Sequence, residues 1–152
     1  MTIQDELTVK YLLIGFLGFG KMGNIRYQTL NEMEQCEALT VYEYNDDIVT
    51  PENLKRMNPA EEIIASKDVD AVVISVPNYL IKPYVIACLE AGKHVFCEKP
   101  MAVDGTGVRS VMESAKLAKE NDTNIVCGFM WRRNKALQEL YQDLHNGLIG
   151  DI

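Results

Sequence analysis

The chain has 152 residues, about one domain, and its 47% hydrophobic and 24% charged residues are ordinary values for a folded globular protein. The net charge of −7, without a basic cluster, argues against a nucleic-acid partner. The longest apolar run, Tyr11 to Phe19, is interrupted by two glycines and falls well short of a membrane span.

Taken in chain order, strands alternate with helices. Tyr11 to Phe16 is a short apolar run ending in glycines and reads as a buried strand. Lys21 to Glu34 places Met22, Ile25, Leu30 and Met33 near helical spacing. Ala38 to Tyr42 is rich in β-forming residues. Pro51 to Lys67 reads as one or two short helices, with Asn58 as a cap and Pro59 in a first turn. Ala71 to Ser75 is a third strand, stopped by Pro77-Asn78. A helix from Ile81 to Ala91 ends at Gly92. Val95 to Cys97 is a fourth strand. Asp104 caps a helix running to about Asn121, and Ile125 to Cys127 is a fifth strand. Asn134 to His145 is the last helix, closed by Asn146-Gly147, and Leu148 to Ile152 resembles the start of a further strand.

Strands that are continuous apolar runs, not alternating ones, belong to parallel sheets covered on both faces. Five βα repeats therefore predict an α/β fold: a doubly wound parallel sheet in a single three-layer domain spanning residues 1–152. The first nine residues carry Asp5 and Glu6 and no base, so no secretory leader is read and the expected location is cytoplasmic. The cysteines at 36, 88, 97 and 127 form no Cys-x-x-Cys pair and read as reduced small hydrophobes, in keeping with that location. His94 and His145 have no cysteine or aspartate at ligand spacing, so no metal site is expected.

Two segments carry chemistry. Gly18-Phe19-Gly20-Lys21-Met22-Gly23 matches G-x-G-x-x-G between a predicted strand and a predicted helix, the context that gives the pattern meaning. Gly18 permits the tight turn, Gly20 lets backbone N–H groups approach a pyrophosphate, and Gly23 lets the helix pack close. The helix N-terminus adds free donors and partial positive charge. Glu43 lies twenty positions after Gly23, at the end of the second strand. A carboxylate there accepts from both ribose hydroxyls of an adenosine and repels a 2′-phosphate. Between Glu43 and Pro51 there is no Arg or Lys, so NAD is favoured over NADP. The second segment is Gly92-Lys-His-Val-Phe-Cys-Glu-Lys-Pro100, which sets Glu98 and Lys99 at the carboxyl edge of the sheet, where ligands bind in open α/β folds. A lysine held there can bind a substrate hydroxyl or join a proton relay.

With these segments in view, the chain resembles the N-terminal half of the Gfo/Idh/MocA oxidoreductases from Tyr11 onward. The resemblance rests on an ordered set: the glycine turn, Asp70-Ala-Val-Val-Ile, Pro77-Asn78, Leu89-Glu-Ala-Gly-Lys-His-Val, Glu98-Lys-Pro100, Cys127-Gly-Phe-Met-Trp-Arg132 and Gly147-Leu-Ile-Gly150. It implies a Rossmann dinucleotide-binding domain. Pro77 and Asn78 would line the nicotinamide side, Glu98 would meet the ribose region, and Arg132 would sit near the nicotinamide and substrate edge. Lys99 would reach the substrate and help the proton transfer that accompanies hydride transfer. The implied substrate is a sugar, a cyclitol or a derivative with a secondary alcohol; a homo-oligomer would follow from an apolar face left uncovered without the family's second domain.

Three departures stand out. Ile81 replaces a histidine common after Pro-Asn-x-x. Arg133 and Lys135 replace a common Phe and Pro. The C-terminal α/β substrate domain of the family, with its catalytic histidine, is absent from residues 1–152; neither His94 nor His145 takes that role. The expected behaviour of this chain alone is weak NAD binding without sugar oxidation. A free-standing NAD(H)-binding or regulatory module is the alternative. The β-hydroxyacid dehydrogenases share Gly-x-Gly-x-Met-Gly but lack the Glu-Lys-Pro run. Short-chain dehydrogenases need Tyr-x-x-x-Lys, which no tyrosine here supplies.

Overall fold

The computed structural model describes residues 11–150. Six parallel strands form one sheet in the order β3-β2-β1-β4-β5-β6. They are β1 (Leu12–Leu17), β2 (Cys36–Tyr42), β3 (Lys55–Arg56), β4 (Ala71–Ile74), β5 (His94–Cys97) and β6 (Ile125–Cys127). The helices are α1 (Lys21–Asn31), α2 (Glu61–Ala65), α3 (Asn78–Glu90), α4 (Gly105–Glu120) and α5 (Lys135–His145). The sheet order reverses between β1 and β4, which opens a crevice at their carboxyl ends.

Alternation along each strand sorts the apolar side chains to two faces. Leu17, Val72, Ile74, Val95 and Cys97 pack with Ile63 of α2 and Ile81, Val85 and Leu89 of α3. On the other face Ile14, Phe16, Ala71 and Val73 pack with Val41 and Phe19, and Tyr27 and Leu30 of α1 close over them. Phe16, Phe19 and Tyr27 meet edge to face, with centroids 5.6 to 6.1 Å apart. The three-layer doubly wound fold is therefore as expected.

The structure corrects several local expectations. Within Pro51 to Lys67, Lys55–Arg56 adds a short strand beside β2, and only Glu61–Ala65 is helical. Asn58 does not cap that helix; it starts after Ala60 with no side-chain cap. In α1, Ile25 is half-exposed and Met33 lies beyond the helix, because the helix presses on the sheet through Gly23, Tyr27 and Leu30 instead. Residues 146–149 form a turn, not a strand, and Asp151 and Ile152 lie outside the described residues. Strands β5 and β6 are not buried on both faces, since Phe96 and Val126 remain partly open on the α1 side.

The cap at Asp104 is as expected, while Asn134, read as the first residue of the last helix, is its cap and the helix starts at Lys135. Asp104 Oδ1 accepts from the Gly107 N–H at 2.6 Å, and Asn134 Oδ1 from the Leu137 N–H at 3.2 Å. Gly92 ends α3 with φ +71°. His94 is structural, its Nδ1 accepting from the Asn124 N–H at 3.1 Å. The four cysteines are free thiols. Burial pushes the Cys88 and Cys97 thiols up to about 12 from an ordinary value of 9.0. Each thus stays protonated in the fold while ionising in the unfolded chain, so stability falls as pH rises from 9 towards 12. Urea titrations above pH 9 should show that decline, and Cys88→Ala should flatten it.

Lys93 contributes to stability and not to the crevice. Its buried ammonium donates to the carbonyls of Ser66 and Val69, tying β5 to the segment after α2. Lys93→Met leaves both acceptors unpaired and should cost about 2 kcal/mol of unfolding free energy in urea, with nucleotide affinity unchanged.

Candidate functional site

Strand β1 ends in Leu17 and the chain turns at Gly18, whose φ is +87°. A Cβ at Gly18 would lie 2.6 Å from the Ser75 carbonyl oxygen, so the turn presses directly on the end of β4. A Cβ at Gly23 would run into the Gly18 carbonyl, which explains how close α1 sits to the turn. At Gly20 a Cβ would meet nothing within 4 Å. That open cradle stands over the first turn of α1, which has neither a side-chain cap nor an acidic residue. Uncapped N–H donors beside empty space suit a diphosphate.

Glu43 closes the turn from β2. It is 6% exposed; its Oε2 accepts from the Phe19 N–H at 2.6 Å and its Oε1 from the Asn45 N–H at 3.0 Å. The carboxylate thus already organises the loop that would hold an adenosine, and each oxygen has lone-pair capacity left for a ribose hydroxyl. Phe19 takes part through its backbone only; its side chain is 2% exposed and sits in the core.

Two adjoining clefts follow. One, of about 550 Å³, holds Gly18, Gly20, Lys21, Glu43 and Pro77. The other, of about 480 Å³, holds Asn78, Glu98, Lys99 and Gly128. Met22, Ser75 and Val76 border both, so the two clefts adjoin, one holding Glu43 and the other Lys99. Ser75 Oγ is buried at that junction without a hydrogen-bond partner, an orphaned polar atom that fits a polar ligand crossing there. The residues present therefore fit a dinucleotide. Lys99 is exposed at the second cleft, and Lys99-Pro100 is a cis peptide. Arg132 stands apart: its guanidinium lies 4.9 Å over the Phe129 ring, in a neighbouring hollow beside α5.

Two residues escaped the sequence reading. Arg56 reaches the Glu43 loop from β3, donating to the carbonyls of Glu43 and Asn45 at 2.7 and 3.2 Å and to Asp46 at 3.0 Å. It braces the loop through Nη2. Arg26 of α1 pairs with Glu98 across 72 residues of sequence. No local spacing signals either one.

A family profile described as "Oxidoreductase family, NAD-binding Rossmann fold" and named Gfo/Idh/MocA matches residues 12–129. The chain belongs to the Gfo/Idh/MocA oxidoreductases. Its Rossmann unit is an NAD-binding one, and the matched residues include every predicted site residue except Arg132. Myo-inositol 2-dehydrogenase of Thermotoga maritima is 30% identical over 142 residues, covering 90% of this chain and 42% of that protein. The 2,7-anhydro-N-acetylneuraminate hydratase of Escherichia coli is 29% identical over 140 residues, covering 91% and 37%. The crystal structure of an NAD-binding protein from Listeria innocua has 28% identity and a TM-score of 0.66, covering 78% of this chain and 35% of that one. The chain thus spans about two fifths of the length of the curated relatives it matches. Among the described residues, no helix is long and apolar enough to cross a membrane, and no cluster of His, Cys, Asp and Glu could hold a metal ion.

Proposed function

We propose that this Gfo/Idh/MocA chain holds NAD as the coenzyme-binding part of an oxidoreductase acting on a secondary alcohol of a sugar, a cyclitol or a derivative. The observation that supports it best is the pair of adjoining clefts that sets Glu43 and the open cradle at Gly20 in one and Lys99 in the next. Bound NAD would supply the hydride acceptor. The protein's own groups do the rest. Backbone N–H groups around Gly20 hold the diphosphate, Glu43 receives the adenosine ribose, and Pro77 and Asn78 border the nicotinamide side. Glu98 faces the second ribose, and Arg132 stands at the outer edge. Lys99 Nζ binds the substrate hydroxyl oxygen and helps move its proton as the carbonyl forms. Relatives named for an inositol and for an anhydro-neuraminate support a polyhydroxylated substrate.

Calorimetry with NAD, followed by NADH absorbance with a panel of inositols and sugars, tests this. Saturable NAD binding competed by ADP is expected from residues 1–152, and turnover from the full gene product. Failure to bind NAD would overturn the reading. NAD binding without NADH formation in the full gene product would favour a regulatory NAD(H)-binding module.

A further inference from the structure

The least expected contact in the crevice is the Arg26–Glu98 pair. Both Nε and Nη2 of Arg26 donate to the same oxygen, Glu98 Oε1, at 2.8 and 2.6 Å. The guanidinium carbon lies 5.0 Å from the centroid of the Phe96 ring, a cation–π contact that holds it there. The two side chains are 24% and 12% exposed, so the pair is largely shielded from water. A two-pronged pair would normally use both carboxylate oxygens. Here Oε2 is left over, and no donor among the described residues reaches it. It faces Gly128, where a Cβ would lie 2.9 Å away, at the wall of the cleft that also holds Lys99. The backbone beneath is fixed as well, because the Glu98 N–H donates to the Ile74 carbonyl at 3.0 Å.

We propose that Arg26 is a positioning residue that clamps one oxygen of Glu98 so that the other is presented to the nicotinamide-ribose hydroxyls of the coenzyme. This rests on the NAD reading of the crevice. The physical reason for a clamp is the neighbour. Glu98 and Lys99 border the same cleft, so an unrestrained carboxylate shares that space with the Lys99 ammonium and is free to pair with it. That pairing would remove an acceptor from the coenzyme and a donor from the substrate at once. Arg26, stacked on Phe96 and rooted in the helix that opens at the glycine turn, holds Glu98 away from it.

The test compares NAD with ADP, which has the adenosine and diphosphate but no nicotinamide riboside. By calorimetry, Arg26→Met should leave ADP affinity within about twofold and lower NAD affinity about tenfold, the scale of a lost preorganised contact. Glu98→Gln placed on Arg26→Met should add little further loss, since the two act as one unit. Should Arg26→Met not fold, Arg26→Lys serves instead: it keeps a cation but cannot set two donors on one oxygen, and the same fall in the NAD-to-ADP ratio is expected. An unchanged ratio, or equal losses for both ligands, overturns the positioning role. Failure of ADP to bind the unsubstituted chain overturns the crevice reading itself, a distinguishable result.

Discussion

Glu43→Ala should lower NAD affinity by about 1–3 kcal/mol, the cost of removing a charged acceptor from hydrogen bonds and leaving its donors unmet. Two losses add. The ribose loses its acceptor, and the Phe19 N–H, held by Oε2 at 2.6 Å, is left without a partner inside the fold. Because Phe19 is buried among Phe16 and Tyr27, its side chain should stay in place while the turn above it loosens. Glu43→Gln separates the two effects. Its single amide oxygen can still accept from Phe19, so the turn persists, but its NH2 meets the Asn45 N–H and cannot accept from a hydroxyl. Calorimetry should therefore rank NAD affinity as unsubstituted, then Gln, then Ala. Equal affinity across the three would remove Glu43 from the site. The contacts of Arg56 give a related expectation: Arg56→Met should slacken the Glu43 loop and weaken NAD a few-fold without favouring NADP.

What could be read from the amino acids alone follows from range. The glycine turn and Glu43 were legible because strand, turn, helix and second strand are consecutive, and a fixed spacing carries the acid back to the turn. Glu98 and Lys99 were legible as the end of an apolar strand, which parallel topology places at the same edge as β1 and β4. The cap at Asp104 is local and came out as read. Contacts that depend on packing were not. Lys55–Arg56 joins the sheet by backbone pairing with Thr40 and Val41, and a two-residue charged segment has no hydrophobic pattern to announce it. Ile25 and Met33 fit a helical stripe, yet the real inner face is set by Gly23, which brings one side of α1 onto the turn. Arg26 lies on that same helix, and nothing near it in sequence points to Glu98. For α5 the residues specify the helix, while Leu137, Leu140 and Tyr141 stay exposed along it.

The three motif glycines should fail in three different ways. At Gly18, alanine must adopt φ +87° and also clear the Ser75 carbonyl at 2.6 Å. The strained backbone alone costs of order 1–3 kcal/mol, and the clash adds to it, so Gly18→Ala should lower both stability and NAD affinity. Gly23→Ala drives a methyl into the Gly18 carbonyl, and relief requires α1 to move off the turn. Its primary effect should be a lower Tm, with binding lost because the helix N-terminus no longer aims at the crevice. Gly20→Ala is the discriminating case. Its Cβ meets nothing within 4 Å and its φ of −61° suits any residue, so the fold should keep its Tm to within about a degree or two, as for an ordinary exposed substitution. The methyl instead stands where the diphosphate must approach the backbone, and NAD and ADP affinity should fall together by tenfold or more, roughly the effect of about 1.4 kcal/mol. If Gly20→Ala bound ADP as tightly as the unsubstituted chain, the space above Gly20 would not be the diphosphate cradle.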